Sequence, residues 1–272
     1  MRYGTFSPKI LLQLAQKCGL KSIALTDINT TSACLEFIRE SSKYNIKPVI
    51  GVDFRNGVDQ LFVAIAKNNS GFQEINEYLS PFLQNKTETE SGHLPIPERA
   101  PFFENVFVIY PFKKNQKHEL RANEFVGISP GDLDYIRIKK IAVPKAVILQ
   151  TVTFRNKKDF NAHRLLRAID KNVLLSKLDP AEQGNENHKM LSPEELFRLY
   201  EDYPQAISNT QKIIDESEII FDLTDTAQPQ NQKITPVVLK KMKRCFGSFV
   251  SREYHTVILT EHNKFMSALK KN

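Results

Sequence analysis

The sequence predicts an α/β fold with a largely parallel sheet. Short apolar runs typical of buried strands alternate along the chain with segments of helical periodicity. This alternation is typical of βα units, and both a barrel and an open doubly wound sheet are consistent with it. No run approaches the roughly 18 apolar residues of a membrane helix, so no membrane partner is expected. In either architecture, chemistry is expected where the strands end.

The first part of the chain predicts three helices and three strands. Ser7 is placed to cap the first helix, Pro8 suits its first position, and Gly19 follows its last turn. After this helix the predicted elements are a strand over 22–26, a helix over 31–44, strands over 47–54 and 61–66, and a helix over 70–83.

The second part begins with a proline-rich stretch over 85–102, which predicts an extended surface loop. Ser192 and Glu195 have the spacing of a capping box and indicate the start of a helix. The other predicted elements are strands over 106–110 and 146–152 and helices over 157–170 and 204–216.

The charge is unevenly distributed. The formal net charge is +7, and residues 233–272 hold nine Lys and Arg against two Asp and Glu, which leaves equal numbers of basic and acidic residues before them. A basic arm of this kind is typical of phosphate-backbone binding, although no individual nucleic-acid-binding residue is assigned. The three cysteines are too few and too scattered for a disulfide framework, which indicates a reducing cytoplasm.

Two carboxylates are candidate functional residues. Asp27 and Asp53 lie at the ends of two predicted strands, where they either share a divalent cation or cap the following turn. The six histidines form no His-x-His pair, and none lies at the end of a predicted strand; His163 is expected to be a packing or surface residue of a helix. Because the sequence also lacks a Walker loop and a nucleophile elbow, no catalytic residue is assigned.

Seven segments in the same order resemble the start of the bacterial DNA polymerase III alpha subunit, a C-family replicative DNA polymerase. They are Arg2–Thr5, Ala24–Asp27, Ile46–Gly51, Ile65–Asn69, Leu94–Pro101, Phe160–Asp170 and Leu191–Glu195. The resemblance covers about residues 2 to 232 and corresponds to the PHP domain (polymerase and histidinol phosphatase) of that subunit. It implies a distorted seven-stranded (βα) barrel.

The departures from the family pattern imply a degenerate metal site. The chain starts at Met1 without the His-x-His motif, so we expect an N-terminally truncated domain whose barrel lacks its first strand. Ile28 stands where the family has histidine, and Thr151 and Thr153 stand where it has aspartate and histidine. Asp27 and Asp53 would then remain as vestigial ligands, which bind a transition metal weakly without imidazoles.

The resemblance also implies what the chain does. The family synthesises DNA with Mg²⁺ held by palm carboxylates that lie far beyond residue 272, and intact PHP sites bind Zn²⁺ or Mn²⁺. This chain is therefore expected to hold no cofactor and to be inactive alone. The implied role is structural, in contact with the rest of the polymerase subunit and with the proofreading exonuclease, reaching DNA only through the full polymerase. The alternatives are a stand-alone metal-dependent PHP phosphoesterase and a small DNA-binding protein that uses the basic tail.

The predicted boundary lies near residue 232, where the resemblance stops. Residues 1–232 form the predicted PHP domain, and residues 233–272 form a basic, poorly defined tail. One hypothesis is that the tail is out of frame or disordered. The other is an amphipathic basic helix at 237–247 that binds DNA or a partner.

Overall fold

The computed structural model describes residues 7–84, 95–112, 119–221 and 256–258. Within them the α-helices are α1 Pro8–Lys17, α2 Cys34–Ser41, α3 Asn69–Gln84, α4 Leu133–Lys139, α5 Lys157–Asp170, α6 Pro193–Leu199 and α7 Pro204–Asp215. The strands are β1 Ser22–Ile28, β2 Lys47–Asn56, β3 Asp59–Ala66, β4 Val106–Pro111, β5 Glu124–Ile128, β6 Ala146–Ile148, β7 Gln150–Val152 and β8 Thr256–Ile258.

All eight strands belong to one sheet with the order β6-β5-β4-β3-β2-β1-β8-β7. The two edge strands, β6 and β7, are consecutive in the chain, and only Leu149 lies between them. One residue spans only a few ångströms, so the two edges of the sheet meet and the sheet curls. The expected α/β fold with a distorted barrel is therefore confirmed.

The sheet is less parallel than the sequence predicted. Strand β1 pairs in parallel with β2, and β5 pairs in parallel with β4 and β6. Strand β3 is antiparallel to both β2 and β4, and β8 is antiparallel to both β1 and β7. The physical reason lies in the connection after β2, since the two residues Gly57 and Val58 allow only a hairpin, whereas a parallel crossover needs about a dozen residues.

The two faces of the sheet have different coverings. On the outer face, side chains such as Leu25 and Val52 pack with buried residues of α1, α2, α3, α4 and α6. On the inner face, Ala24, Val49 and Val63 form a second cluster with Ile213 and Ile214 of α7. Lys47, the first residue of β2, donates a 2.6 Å hydrogen bond from Nζ to the Ile214 carbonyl. Helix α7 therefore ends at the bottom of the sheet, and the carboxyl ends of β1 and β2 lie at the opposite end.

The element boundaries confirm most predictions. The sequence missed β5 and α4, and it predicted one strand over 146–152 where the chain forms β6 and β7. The predicted helix over 31–44 is shorter, because Ser42–Tyr44 form a 3-10 turn after α2. Much of the predicted loop 85–102 and most of the predicted tail lie outside the described residues, apart from β8 in the tail. No helix among the described residues is long and apolar enough to span a membrane.

Candidate functional site

The strand register separates the two predicted carboxylates. Ile28 of β1 lies opposite Asp53 of β2, and Asp27 lies opposite Val52. Residues paired in this way point to the same face of a sheet, and successive residues alternate between faces. Asp53 and Ile28 therefore face inward, whereas Asp27 faces the outer side with Val52. This geometry does not support one ion shared by Asp27 and Asp53.

Asp27 is fully buried on the outer face, close to the start of α2. Burial raises the pKa of the Cys34 thiol, and the negative charge of Asp27 raises it further. Cys34 is the first residue of α2, so the carboxylate of Asp27 lies in the layer between the sheet and that helix. This placement suits a structural carboxylate better than a group at an open site.

Asp53 has a complete set of protein partners on the inner face. Its Oδ2 accepts a 2.9 Å hydrogen bond from Nε of Arg55, and a second guanidinium nitrogen of Arg55 lies 2.8 Å from the same oxygen. Its Oδ1 accepts a 3.0 Å hydrogen bond from Nε2 of Gln60. Asp53 is 2% exposed and Arg55 7%, so this is a buried ion pair. The guanidinium supplies the positive charge that balances the carboxylate.

Asn29 fixes the backbone of this pair. It follows β1 with a φ of 50°, and its backbone N–H donates to the Asp53 carbonyl at 3.1 Å. Its side chain donates from Nδ2 to the Arg55 carbonyl at 2.8 Å and accepts from the Arg55 N–H at 2.9 Å through Oδ1. The ends of β1 and β2 are therefore joined by three hydrogen bonds beyond the regular ladder. The Asp53–Arg55 pair is held on a rigid backbone.

The positions implied to be degenerate ligands lie on the same inner side as Asp53. Thr151 of β7 is in register with Val257 of β8, which is in register with Ala24 of the inner face. Thr153, two residues further along, is fully buried, and its N–H donates to the His188 carbonyl at 2.9 Å. With Ile28 and Asp53, these residues define the inner mouth of the sheet.

His188 is a residue of the mouth that the sequence interpretation missed. Its carbonyl accepts hydrogen bonds from the backbone N–H groups of Thr153 and Phe154. Its Nδ1 is buried and has no hydrogen-bond partner within the described residues. Burial, together with the positive charges of Arg55 and His163, lowers the pKa of His188 to about 4, so the imidazole is neutral at pH 7. It comes from the loop between α5 and α6, and no strand-end pattern in the sequence indicates it.

The side chains of the inner mouth do not fit a metal centre. A transition-metal hydrolase needs several imidazole or carboxylate ligands converging on one point. Here Asp53 is engaged by Arg55 and Gln60, and Ile28 and Thr151 supply no such ligand. Across the described ranges, no group of three or more His, Cys, Asp or Glu side chains is arranged to hold an ion. The arrangement supplies a neutralised ion pair and a neutral imidazole.

Comparison with known families identifies the family of this chain. The family model of the PHP domain matches residues 1–226, which is most of the chain. The protein therefore belongs to the PHP domain family.

Curated relatives are DNA polymerase III alpha subunits. The subunit of Streptococcus pyogenes serotype M6 is 22% identical over 260 residues, and the alignment covers 90% of this chain and 24% of that protein. The subunit of Bacillus subtilis strain 168 is 24% identical over 295 residues, covering 87% of this chain and 24% of that protein. The chain thus spans about a quarter of the length of these relatives.

Among solved structures, a protein described as a metal-dependent phosphoesterase from Bifidobacterium adolescentis aligns with a TM-score of 0.30 and 11% identity. The alignment covers 72% of this chain and 91% of that one.

Proposed function

We propose that this chain acts as the PHP portion of a replicative DNA polymerase III alpha subunit, as a structural and protein-docking module rather than a hydrolase. Its partners are then the remainder of the polymerase subunit and the proofreading exonuclease, in the cytoplasm, with DNA contacted only through the full polymerase. The match to the PHP domain family and the polymerase relatives support a role as part of a DNA polymerase III alpha subunit.

The ion pair of Asp53 carries the proposal that the role is structural. Metal-dependent phosphate ester hydrolysis needs a cation that activates water and stabilises charge on the phosphoryl oxygens. In this chain the inner carboxylate is neutralised by an internal guanidinium, with Gln60 on its other oxygen. A positive charge that belongs to the protein therefore balances the inner carboxylate.

A metal-binding assay tests the structural role directly. The chain is incubated with excess Mn²⁺ or Zn²⁺, desalted and analysed for metal by mass spectrometry, and hydrolysis of p-nitrophenyl phosphate is followed in parallel. We expect less than about 0.1 ion per chain and no phosphate release above background. One tightly held ion per chain, with hydrolysis that a chelator abolishes and added Mn²⁺ restores, would instead establish the phosphoesterase alternative.

The docking role is tested by binding the proofreading exonuclease encoded in the same genome. Isothermal titration of the full chain should give one site with a Kd in the micromolar range or below, of the order typical for specific complexes. The matched control is the same titration with a heat-unfolded and cooled sample of the chain. Absence of heat at concentrations up to about 100 μM contradicts the docking role.

A further inference from the structure

Helix α5 and the turn after it expose a row of aliphatic side chains. Five such side chains lie within eleven residues, with exposed fractions between 39% and 67%. They are Leu165, Ile169, Val173, Leu174 and Leu175, and together we call them the α5 aliphatic patch. Single exposed aliphatic residues are ordinary, but a contiguous group of this size is typical of an interaction surface.

The geometry of the helix end makes the patch contiguous. Leu165 and Ile169 are four residues apart and therefore lie on the same side of α5. Asn172 takes a left-handed conformation with a φ of 51°, and the Val173 N–H donates to the Ala168 carbonyl at 2.9 Å. This arrangement folds the chain back over the last helical turn. Val173–Leu175 therefore continue the surface that begins at Leu165.

The opposite side of α5 is fixed to the body of the protein. The His163 ring is buried against Phe154, with ring centroids 5.1 Å apart, and its Nε2 accepts a 2.8 Å hydrogen bond from the Gly184 N–H. Arg167 is fully buried and donates to the Glu182 carbonyl at 2.8 Å and to Asp170 at 2.9 Å. These contacts prevent α5 from rotating its aliphatic side inward, so the patch is presented to solvent on a rigid element.

The surroundings of the patch are positively charged. Residues 155–179 contain seven Lys and Arg against three Asp and Glu, although residues 1–232 as a whole are balanced. Lys158 lies seven residues before Leu165, on the same side of α5, and Lys177 lies two residues after Leu175. Both are exposed, and neither forms an ion pair with another described residue. The patch therefore has a cation at each end.

We propose that the α5 aliphatic patch binds an acidic amphipathic helix of a partner protein. The aliphatic side chains would cover the apolar face of that helix, and Lys158 and Lys177 would contact acidic residues at its margins. A lipid surface is a poorer match, because the patch has neither Trp nor Phe, two of the three residue types typical of membrane-inserting faces. The chain's own residues 233–272 are also a poorer match, since they are basic like the patch margin.

This inference goes beyond the proposed function and does not depend on the inner mouth. The probe is a fluorescein-labelled synthetic helix of about 18 residues with leucines on one face and glutamates beside them. The matched control peptide has lysine at every glutamate position. In fluorescence anisotropy with the full chain at low salt, the acidic peptide should bind at least about tenfold more tightly than the basic peptide.

Variants of the chain locate the binding site. Ile169→Asn with Leu174→Asn should weaken binding of the acidic peptide by at least about tenfold, because two exposed aliphatic side chains are lost from the patch. The control is Ile138→Asn on α4, which removes a side chain that is 76% exposed but lies outside the patch, and it should leave the affinity unchanged. Lys158→Glu should reduce the preference for the acidic peptide, because an anion then replaces one of the two cations at the ends of the patch. Each variant must keep the melting temperature of the parent chain, because the altered side chains are exposed.

Four outcomes would overturn the proposal. Equal binding of both peptides, or no effect of the double variant, removes the α5 aliphatic patch as a selective surface. Binding to phosphatidylserine vesicles that the double variant abolishes, without selective peptide binding, assigns the patch to a membrane surface. Peptide binding that occurs only after deletion of residues 259–272, which leaves β8 in place, shows that the chain's own C-terminal residues occupy the patch.

Discussion

The buried ion pair between Asp53 and Arg55 gives the sharpest prediction about stability. Replacing Asp53 by Asn keeps the shape of the side chain but removes the carboxylate charge that balances the buried Arg55 guanidinium. Replacing Arg55 by Met removes the guanidinium from Oδ2 of Asp53 and leaves the hydrogen bond from Gln60 to Oδ1. Each variant therefore disturbs the charge balance of a buried pair, which lowers the free energy of unfolding.

The magnitude follows from the burial of the pair. The side chains of Arg55 and Asp53 are 8% and 2% exposed, and their nitrogen and oxygen atoms are 2.8 Å apart. Removing one partner of such a pair typically costs about 3–5 kcal/mol. Each single variant should lose about 4 kcal/mol of unfolding free energy, a large part of the stability of a typical domain. The double variant D53N/R55M should be more stable than the sum of the single effects predicts by about 2 kcal/mol.

The assay is urea unfolding of the full chain, followed by circular dichroism, as a double-mutant cycle. The matched control is the ion pair between Arg137 and Asp202, which has a similar separation of 2.9 Å but side chains that are 53% and 57% exposed. Arg137→Met should cost less than about 1 kcal/mol. If Asp53→Asn costs no more than the exposed control, or the cycle shows no coupling, the reasoning about the inner ion pair is refuted.

Three further predictions concern the same half of the protein. The pKa of His188 is about 4 in the folded chain and near 6.5 in the unfolded chain, so the unfolded state binds a proton at higher pH. The free energy of unfolding should therefore fall as the pH decreases from about 6.5 to about 4, and the loss should reach about 2 kcal/mol at pH 5. His188→Gln should remove this part of the pH dependence, and parallel pH profiles for the two proteins would contradict the prediction. Arg167→Met should cost about 2 kcal/mol of unfolding free energy, because the fully buried guanidinium binds Asp170 and Glu182. Urea unfolding measures this cost, and an unchanged stability would refute the stabilising role of these contacts. Asn156→Ala should lower the free energy of unfolding by about 1 kcal/mol, since the Asn156 side chain accepts from the N–H groups of Lys158 and Asp159 and caps α5. A thermal melt measures the change, and Asn161→Ala, at an exposed position inside the same helix, is the control.

The helices and the first strands could be predicted because their signals are local. Ser192 accepts from the Glu195 N–H and the Glu195 side chain accepts in return, as their spacing predicts for a capping box. Proline begins α1, α6 and α7 for the same kind of local reason. Strands β5 and β6 are short, and their identity depends on pairing with strands distant in sequence. A five-residue strand with no alternation gives no local pattern, so β5 was missed.

The candidate site could be predicted only in part, because its connections are made by the fold. Asp53 was selected from its position near a strand end, and Arg55, two residues further along β2, shares its face by the alternation of the strand. Gln60 comes opposite Arg55 only through a register shift after Phe54, which depends on the pairing of β2 with β3. His188 comes from a loop that contacts Thr153 through its backbone, which no spacing in the sequence reveals. The roles of Asp27 and Asp53 as vestigial ligands stay a prediction, although the register places them on opposite faces.

The single-residue link at Leu149 makes two distant parts of the protein mechanically continuous. Helix α7 is bonded to β6 through Thr210, whose hydroxyl accepts from the Ile148 N–H at 2.8 Å. From Ile148 the chain passes through Leu149 directly into β7 and on to Thr153 at the inner mouth. Because this path is short and lies within strands at both ends, a pull on α7 displaces the mouth rather than being absorbed by a flexible loop. Binding of a partner to α7 would therefore displace the ends of the strands at the inner mouth.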